Sequence, residues 1–469
     1  MTYLLAIVLG VAAIPAAHSE VTGMPPLQPL VEVEEPVYQY VPAENGADPM
    51  WCHGCSCIAR IGADVFASGL ETLADARPLN NVRWLFFRRG AGGWELQQAD
   101  ISGRTREPCP LVCFRGGPLL LSANPTLLTD PQAEGGGPAR PEILRFDPAD
   151  PKAPYDTLLP QWDGEPAFTE HSYRTFAADG PSGDFVLMQN IGASHSEWAF
   201  CDKAGEWTTG KLHWPPREDT SISPYGETLA RCNYPDVVLK NRALHFCGAP
   251  AYNKWSRVST MDKAGRQFGN RWRRLLYTHT DDITGQPFGE WLEIGNTFED
   301  GGWLFPGDMY VDDGNRVHIL WHEGPIHRGL RDRFFPDIKL RASYRYTQVV
   351  DGKIVLQRTL LEVGEDISDT TLAGAGGIRL QVTPTGRMVI CYALTETDAG
   401  GRRVPRMRLM ELSADGTTGE PVTVPMQYPM RQFFTATTRA GNAPSTTLDL
   451  LGVRAGDAHI ISYARVRLW

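Results

Sequence analysis

Titratable side chains gather in three stretches of the chain. The first runs from Glu170-His171-Ser172-Tyr173-Arg174, across Asp179-Gly180 and the apolar run Phe185 to Asn190, to Ser194-His195-Ser196-Glu197-Trp198. The second is Cys232-Asn233-Tyr234-Pro235-Asp236, followed by Leu244-His245-Phe246 and Asn253-Lys254-Trp255-Ser256-Arg257. The third runs from Asp308 through Asp312-Asp313-Gly314 to His318 and His322. Histidine titrates near neutral pH and can take a proton, and tyrosine can donate one. Groups of this kind can run a β-elimination on a uronate sugar: a base removes the proton beside the carboxylate, an acid protonates the leaving oxygen, and a cation steadies the enolate. His171, His195 and Tyr234 supply the base and the acid. An arginine would neutralise the carboxylate. That chemistry requires no metal or organic cofactor.

Each residue also has a plainer reading. A histidine at a strand end is more often a hydrogen-bonded structural residue than a catalyst, and a tyrosine before proline can close a strand with its ring buried. His318 and His322 stand on one face of a strand and are the candidates for a structural metal, zinc or calcium, with packing as the commoner role. Arg271-Trp272-Arg273-Arg274 reads as a solvated strand face. Trp255, Trp272 and Trp303 are placed to stack on sugar rings, although most of the thirteen tryptophans belong to a core.

The elements that must hold these groups are strands. Short β-rich runs recur at Val82 to Arg88, Trp94 to Ile101, Ile143 to Phe146, Phe185 to Gln189, Pro235 to Leu239, Val317 to Trp321, Ile354 to Leu360, Arg387 to Ala393 and Arg406 to Leu412. Asp313-Gly314, Asp351-Gly352 and Asp415-Gly416 punctuate them as hairpin turns. Glu71 to Arg77 is one of few helical stretches, so a βαβ arrangement has little support. The pattern predicts an all-β fold, a single β-propeller over residues 51–469. Roughly 40–50 residues per blade gives eight blades, or seven with long insertions, and seven is the preferred count. Ile460 to Leu468 can complete a blade begun by N-terminal residues and so shut the ring.

Composition bounds the rest. Residues 1–19 read as a signal peptide, with an apolar run from Leu4 to Pro15 and small residues at Ala17 and Ser19 before the cut, which predicts a secreted or periplasmic, soluble protein. Residues 20–50, with Pro25, Pro26, Pro29, Pro36 and Pro42 among polar residues, read as an extended lead outside the packed structure. A net charge of −10 argues against nucleic acid and anionic membranes as partners, yet allows an anionic ligand in a locally basic pocket. The expected partner is an acidic polysaccharide met by a monomer. Nine cysteines suit an oxidising compartment, with disulfides to nearby blades favoured over a metal knuckle at Cys52-His53-Gly54-Cys55-Ser56-Cys57 and Cys109/Cys113; the odd count leaves a free thiol.

In order and spacing, the three stretches resemble the BNR-type propellers of the sialidase superfamily that include ulvan lyases of polysaccharide lyase families 24 and 25. In that family a histidine opens a strand and another closes the hairpin after it, as His171 and His195 do; Tyr234-Pro235 with Leu244-His245-Phe246 looks like its Tyr-Pro strand, and Asp312 to His318 is similar to a recurring strand pair. The resemblance covers roughly residues 165 to 325. It implies a polysaccharide lyase with His171, His195 and Tyr234 as catalytic residues and Arg174, Asn253, Trp255 and Arg257 around the substrate. The chain departs from the family where an arginine is expected, at Cys247-Gly248-Ala249-Pro250. A non-catalytic glycan-binding propeller is therefore the alternative. A sialidase-type hydrolase stands third, because Asp202 to Trp207 only echoes the family's Asp-box turn and Phe87-Arg88-Arg89-Gly90 lacks its Phe-Arg-Ile-Pro segment.

Overall fold

The computed structural model describes residues 25–216, 230–252, 271–297 and 302–469; the leader expected over residues 1–19 lies outside them. They form seven small antiparallel sheets in a ring, a seven-bladed β-propeller. In each blade the chain begins at the axis and works outward. Blade one runs from Ile58–Ile61 out to Gly93–Ala99, blade two from Leu111–Cys113 to Asp156–Leu158, and blade three from Arg174–Asp179 to Trp207–His213. Blade four runs from Cys232–Lys240 to Leu292–Asn296, five from Trp303–Val311 to Lys353–Gly364, and six from Ile378–Val382 to Val422–Val424. Blade seven starts at Met430–Thr435 and continues to Asp457–Arg467.

Its fourth strand comes from the other end of the chain. Leu30–Gln39 pairs antiparallel with Asp457–Arg467, from Leu30 opposite Arg467 to Gln39 opposite Ile460, which shuts the ring as the closing run predicts. The expectation that residues 20–50 stay outside the packed structure is corrected here. Val33, Val37 and Tyr38 rest on the core, and Pro36 is tolerated because an edge strand does not need every N–H. Proline and glutamate among the valines disguise the strand as a linker.

Local chemistry fixes the hairpins. Asp351 and Gly352 both have positive φ, 48° and 69°, the mirror-image turn that matches strand twist between Val350 and Lys353. Burial falls from axis to rim: Arg174–Asp179 is buried throughout, whereas Lys353–Gly364 is largely exposed. Aromatic layers join neighbouring blades, as where Phe86 stacks on Phe66 and on Phe146 of blade two at 5.8 and 4.3 Å. Each such buried ring contributes about 1.5–3 kcal/mol. Glu71–Arg77, expected to be helical, instead ends the strand Asp64–Thr72 and turns, because Glu71 and Thr72 pair with Arg83 and Val82. Among the described residues the one α-helix is Arg328–Phe334, and no helix is long and apolar enough to cross a membrane.

All nine cysteines are free and buried, which corrects the expectation of disulfides. They behave as small core groups: Cys113, Cys201, Cys232, Cys247 and Cys391 on separate strands, and Cys52, Cys55, Cys57 and Cys109 in the loops that lead into blades one and two. Cys52 Sγ and Cys57 Sγ approach to 3.9 Å, well beyond the bonded distance of about 2.05 Å. Burial pushes the thiols of Cys109 and Cys113 up to about 12.

The axis is filled from both ends. The loop before blade one enters from the face where inner strands begin, the entry face, and Gly54 lies so close to blade four that a Cβ there would stand 1.9 Å from the Pro235 carbonyl oxygen. From the opposite, exit face, the loop after Met430–Thr435 sends in Arg439. Its Nε donates to Asp308 Oδ1 at 2.7 Å, another nitrogen donates to the Gly54 carbonyl, and Asp236 Oδ1 lies 3.6 Å away. Arg379 donates to the Gly307 carbonyl at 2.8 Å beside this group. Burial lifts the Asp236 carboxyl to about 7, against the lowering pull of Arg439.

Candidate functional site

The entry face between blades three and four carries the site, and a bulge aims its central ring. Asn233 pairs with Ala249 and Asp236 with Cys247, so Tyr234 and Pro235 together face Gly248. Tyr234 takes φ 51°, a conformation that bulges accommodate. Its ring is buried and its hydroxyl donates to Glu107 Oε1 at 2.7 Å. Arg106 donates to the same oxygen at 2.8 Å. Burial pushes the Glu107 carboxyl up, with Arg106 and Arg174 pulling it down, and burial together with the Glu107 charge raises the Tyr234 phenol well above its ordinary value. Tyr234 therefore keeps its proton and spends it on Glu107.

Half-buried rings cover this buried layer. Tyr173 lies 4.8 Å from Tyr234 and 6.1 Å from His171, and Trp51 and His53 reach Tyr234 at 6.0 and 6.2 Å between ring centroids. His53 and Trp272 both meet Phe305 edge-on, at 5.6 and 5.2 Å. The Arg231 guanidinium sits 5.4 Å above the Tyr173 ring and donates to the Gly192 carbonyl at 3.1 Å. Burial is the main cause that raises the Tyr173 phenol, with the charge of Glu107 second.

His171 stands at the edge of this floor with its side chain 40% exposed. Its Nδ1 hydrogen-bonds the carboxylate of Glu170, which is itself 10% exposed. With Nδ1 protonated toward that carboxylate, Nε2 carries the lone pair. Glu170 is seated against Gly136, where a Cβ would come within 1.7 Å of its carboxyl carbon.

His171 and Tyr234 are thus joined through Tyr173. His195 also lies on the entry face but on the third strand of its blade, farther from the axis. Its Nε2 bonds Glu197 at 2.8 Å, its Nδ1 bonds Ser194 at 2.7 Å, and its ring neighbour is His213 at 5.8 Å. Arg174 is 2% exposed and donates to the Pro108 carbonyl at 2.5 Å and to the Glu107 carbonyl at 3.4 Å, so its guanidinium faces the interior. Asn253, Trp255 and Arg257 lie outside the described residues.

The metal reading of His318 and His322 is corrected by strand geometry. Four residues of strand span about 13 Å, too far for both rings to hold one ion. His318 bonds the Tyr346 hydroxyl at 2.6 Å and Asp312 at 3.2 Å, while His322 packs 4.6 Å from Trp303 and is lowered to about 3 by burial. Among the described residues no group of three His, Cys, Asp or Glu side chains could hold a metal ion, the Cys52–Cys57 loop included. The solvated face expected at 271–274 is also corrected: Arg273 is 1% exposed and donates to the Gly302 carbonyl, and Arg274 pairs with Glu293.

Arg231, Tyr173, Trp51, Glu170 and Glu107 were not singled out as site residues in the sequence, although Glu170 and Tyr173 flank His171. Their signal is a titratable or aromatic side chain just before an inner strand, the place where propeller loops converge.

No family model matches the chain, and no curated protein matches it. Solved structures do. The chain is similar to the polysaccharide lyase Uly1, at 10% identity over 89% of this chain and 90% of that one, with a TM-score of 0.46. It is also similar to an α-L-arabinanase of Penicillium chrysogenum complexed with arabinobiose, at 11% identity over 94% and 99% of the two chains and a TM-score of 0.41. A third, the GH93 α-L-arabinofuranosidase of Fusarium graminearum with arabinobiose, matches at 12% identity over 76% and 92%, with a TM-score of 0.40. Likeness at this level leaves the chemistry to the residues themselves.

Proposed function

We propose that this protein is an exported polysaccharide lyase that cleaves a uronate-containing glycan by β-elimination on the entry face. One observation carries the reading: a half-exposed histidine, oriented by a buried-side carboxylate, borders an aromatic floor whose nearest ring lies under a guanidinium. The rings of Tyr173, Trp51 and Trp272 would stack on successive sugars. Arg231 would pair with the uronate carboxylate and take the place of the arginine missing after the Tyr-Pro strand.

Glu170 holds the His171 imidazole so that Nε2 faces the sugar, and Nε2 takes the proton from the carbon beside the carboxylate. The electron pair passes into an enolate that Arg231 steadies, then forms the carbon–carbon double bond as the glycosidic oxygen leaves. Tyr173, protonated at neutral pH, gives that oxygen its proton. Tyr234 is a positioning residue beneath it. His195 stays outside this step and would line a flanking subsite.

The test is incubation of the purified protein with a panel of uronate polysaccharides while following the ultraviolet absorbance of unsaturated products. A rise that His171→Ala abolishes is expected. New reducing ends without unsaturation would replace the lyase by a hydrolase, and binding without products would leave a glycan-binding scaffold.

A further inference from the structure

On the exit face, the turns of blades two and three enclose a cleft of about 440 Å³, within the range of roughly 300–1,000 Å³ typical of small-ligand pockets. Arg115, Arg145 and Lys203 stand around it, all exposed, and none carries an ion pair among the described residues. The nearby carboxylates are already engaged by backbone: Asp202 Oδ1 accepts from the N–H groups of Ala204 and Glu206 at 2.9 and 3.0 Å, and Asp184 Oδ1 from that of Lys203 at 3.0 Å. Part of the wall is apolar. Half-buried Trp207 meets Phe185 edge-on at 5.7 Å, and Leu158 lies on the rim. Three cations and one carboxylate, Asp202, line the cleft, and Asp184 and Glu206 stand close enough to its wall to help raise the Cys201 thiol.

We propose that this cleft is a second binding site, for an acidic sugar, remote from the entry-face chemistry. The three cations would hold the carboxylate, and Trp207 would stack on the ring face. An anion with a flat apolar face would meet the exposed cations and the Trp207 ring together. The choice of a sugar over another anion rests on the acidic-glycan reading above. Such a site would keep the enzyme on its polymer between cleavages, since two weak contacts on one chain raise the effective concentration of each.

The experiment is calorimetric titration of a galacturonate tetrasaccharide, its neutral galactose counterpart and inorganic phosphate into three proteins: wild type, His171→Ala, and the triple variant Arg115→Ala/Arg145→Ala/Lys203→Ala. The proposal expects tetragalacturonate to bind wild type and His171→Ala at the cleft as well as at the entry face, and the cleft component to be at least tenfold weaker in the triple variant, with a smaller loss in Trp207→Leu. Because all three cations are exposed, the triple variant should melt with wild type. Undiminished binding by the triple variant, equal binding of the neutral sugar, displacement by phosphate at the same concentration, or no binding at all would overturn it. Unsaturated products without cleft binding would sink this proposal alone; cleft binding without unsaturated products would sink the lyase reading alone.

Discussion

Two polar clusters meet at the start of blade four, where Asp236 belongs to one and Tyr234 to the other, and they differ in how they end. At the axis, Arg439 with Asp308 and Asp236 is closed over by Gly54 from one side and by its own loop from the other. On the entry face, Glu107, Tyr234 and Arg106 form an equally buried layer, but Tyr173, His171 and Arg231 lie above it with ring edges and nitrogens at the surface. Both pair an arginine with a buried carboxylate. The difference is the cover: a cluster sealed on all sides can only hold the ring together, while one capped by half-exposed side chains can meet a substrate.

That contrast predicts opposite signatures for substitutions in the two places. The largest effect is expected from His171→Ala, a fall of about 10²–10⁴ in kcat/KM with unchanged thermal unfolding; an equal loss of stability would erase the distinction. Arg439→Ala should do the reverse. It leaves buried carboxylates without their cation, costing about 3–5 kcal/mol in denaturant unfolding, with near-normal turnover per folded molecule. Tyr234→Phe sits between them, because it strips Glu107 of a buried donor: about 1–3 kcal/mol of stability and a partial loss of activity, read from the same two measurements. Gly136→Ala, which crowds the Glu170 carboxylate, should lower kcat by about tenfold or less and alter its pH profile without moving the melting temperature.

The smallest effect is in pH dependence. The Asp236 carboxyl is lifted from its ordinary 3.8 to about 7 in the fold. Between those values the folded protein holds a proton that the unfolded chain has lost, so this group's contribution to stability falls as pH rises across that window. Subtracting the unfolding curves of Asp236→Asn from those of wild type should isolate the slope. A difference that does not change with pH would show the carboxylate to be better compensated by Arg439 than its burial suggests.

The propeller was legible in the sequence because hairpin turns such as Asp351-Gly352 declare themselves locally. The blade count was not settled by division, since outer strands are as short as Asp156–Leu158 and Val422–Val424 while one blade borrows Leu30–Gln39 from far away. His171 and Tyr234 could be picked out from residue type and neighbours. Arg231 could not, because only the ring places the start of blade four over Tyr173. Arg174 misled for a related reason: the first residue of a strand can point outward or inward, and here it turns beneath Glu107. His318 and His322 share a face, but a shared face on a strand does not mean a shared ion.

The borrowed strand also sets the timing of assembly. On the ribosome, Leu30–Gln39 emerges long before its partner Asp457–Arg467. Until then six blades present an open edge at each end of an unclosed arc, the kind of edge that invites pairing with a stranger. Release from that hazard comes only when Asp457–Arg467 has been made and Leu30–Gln39 pairs with it.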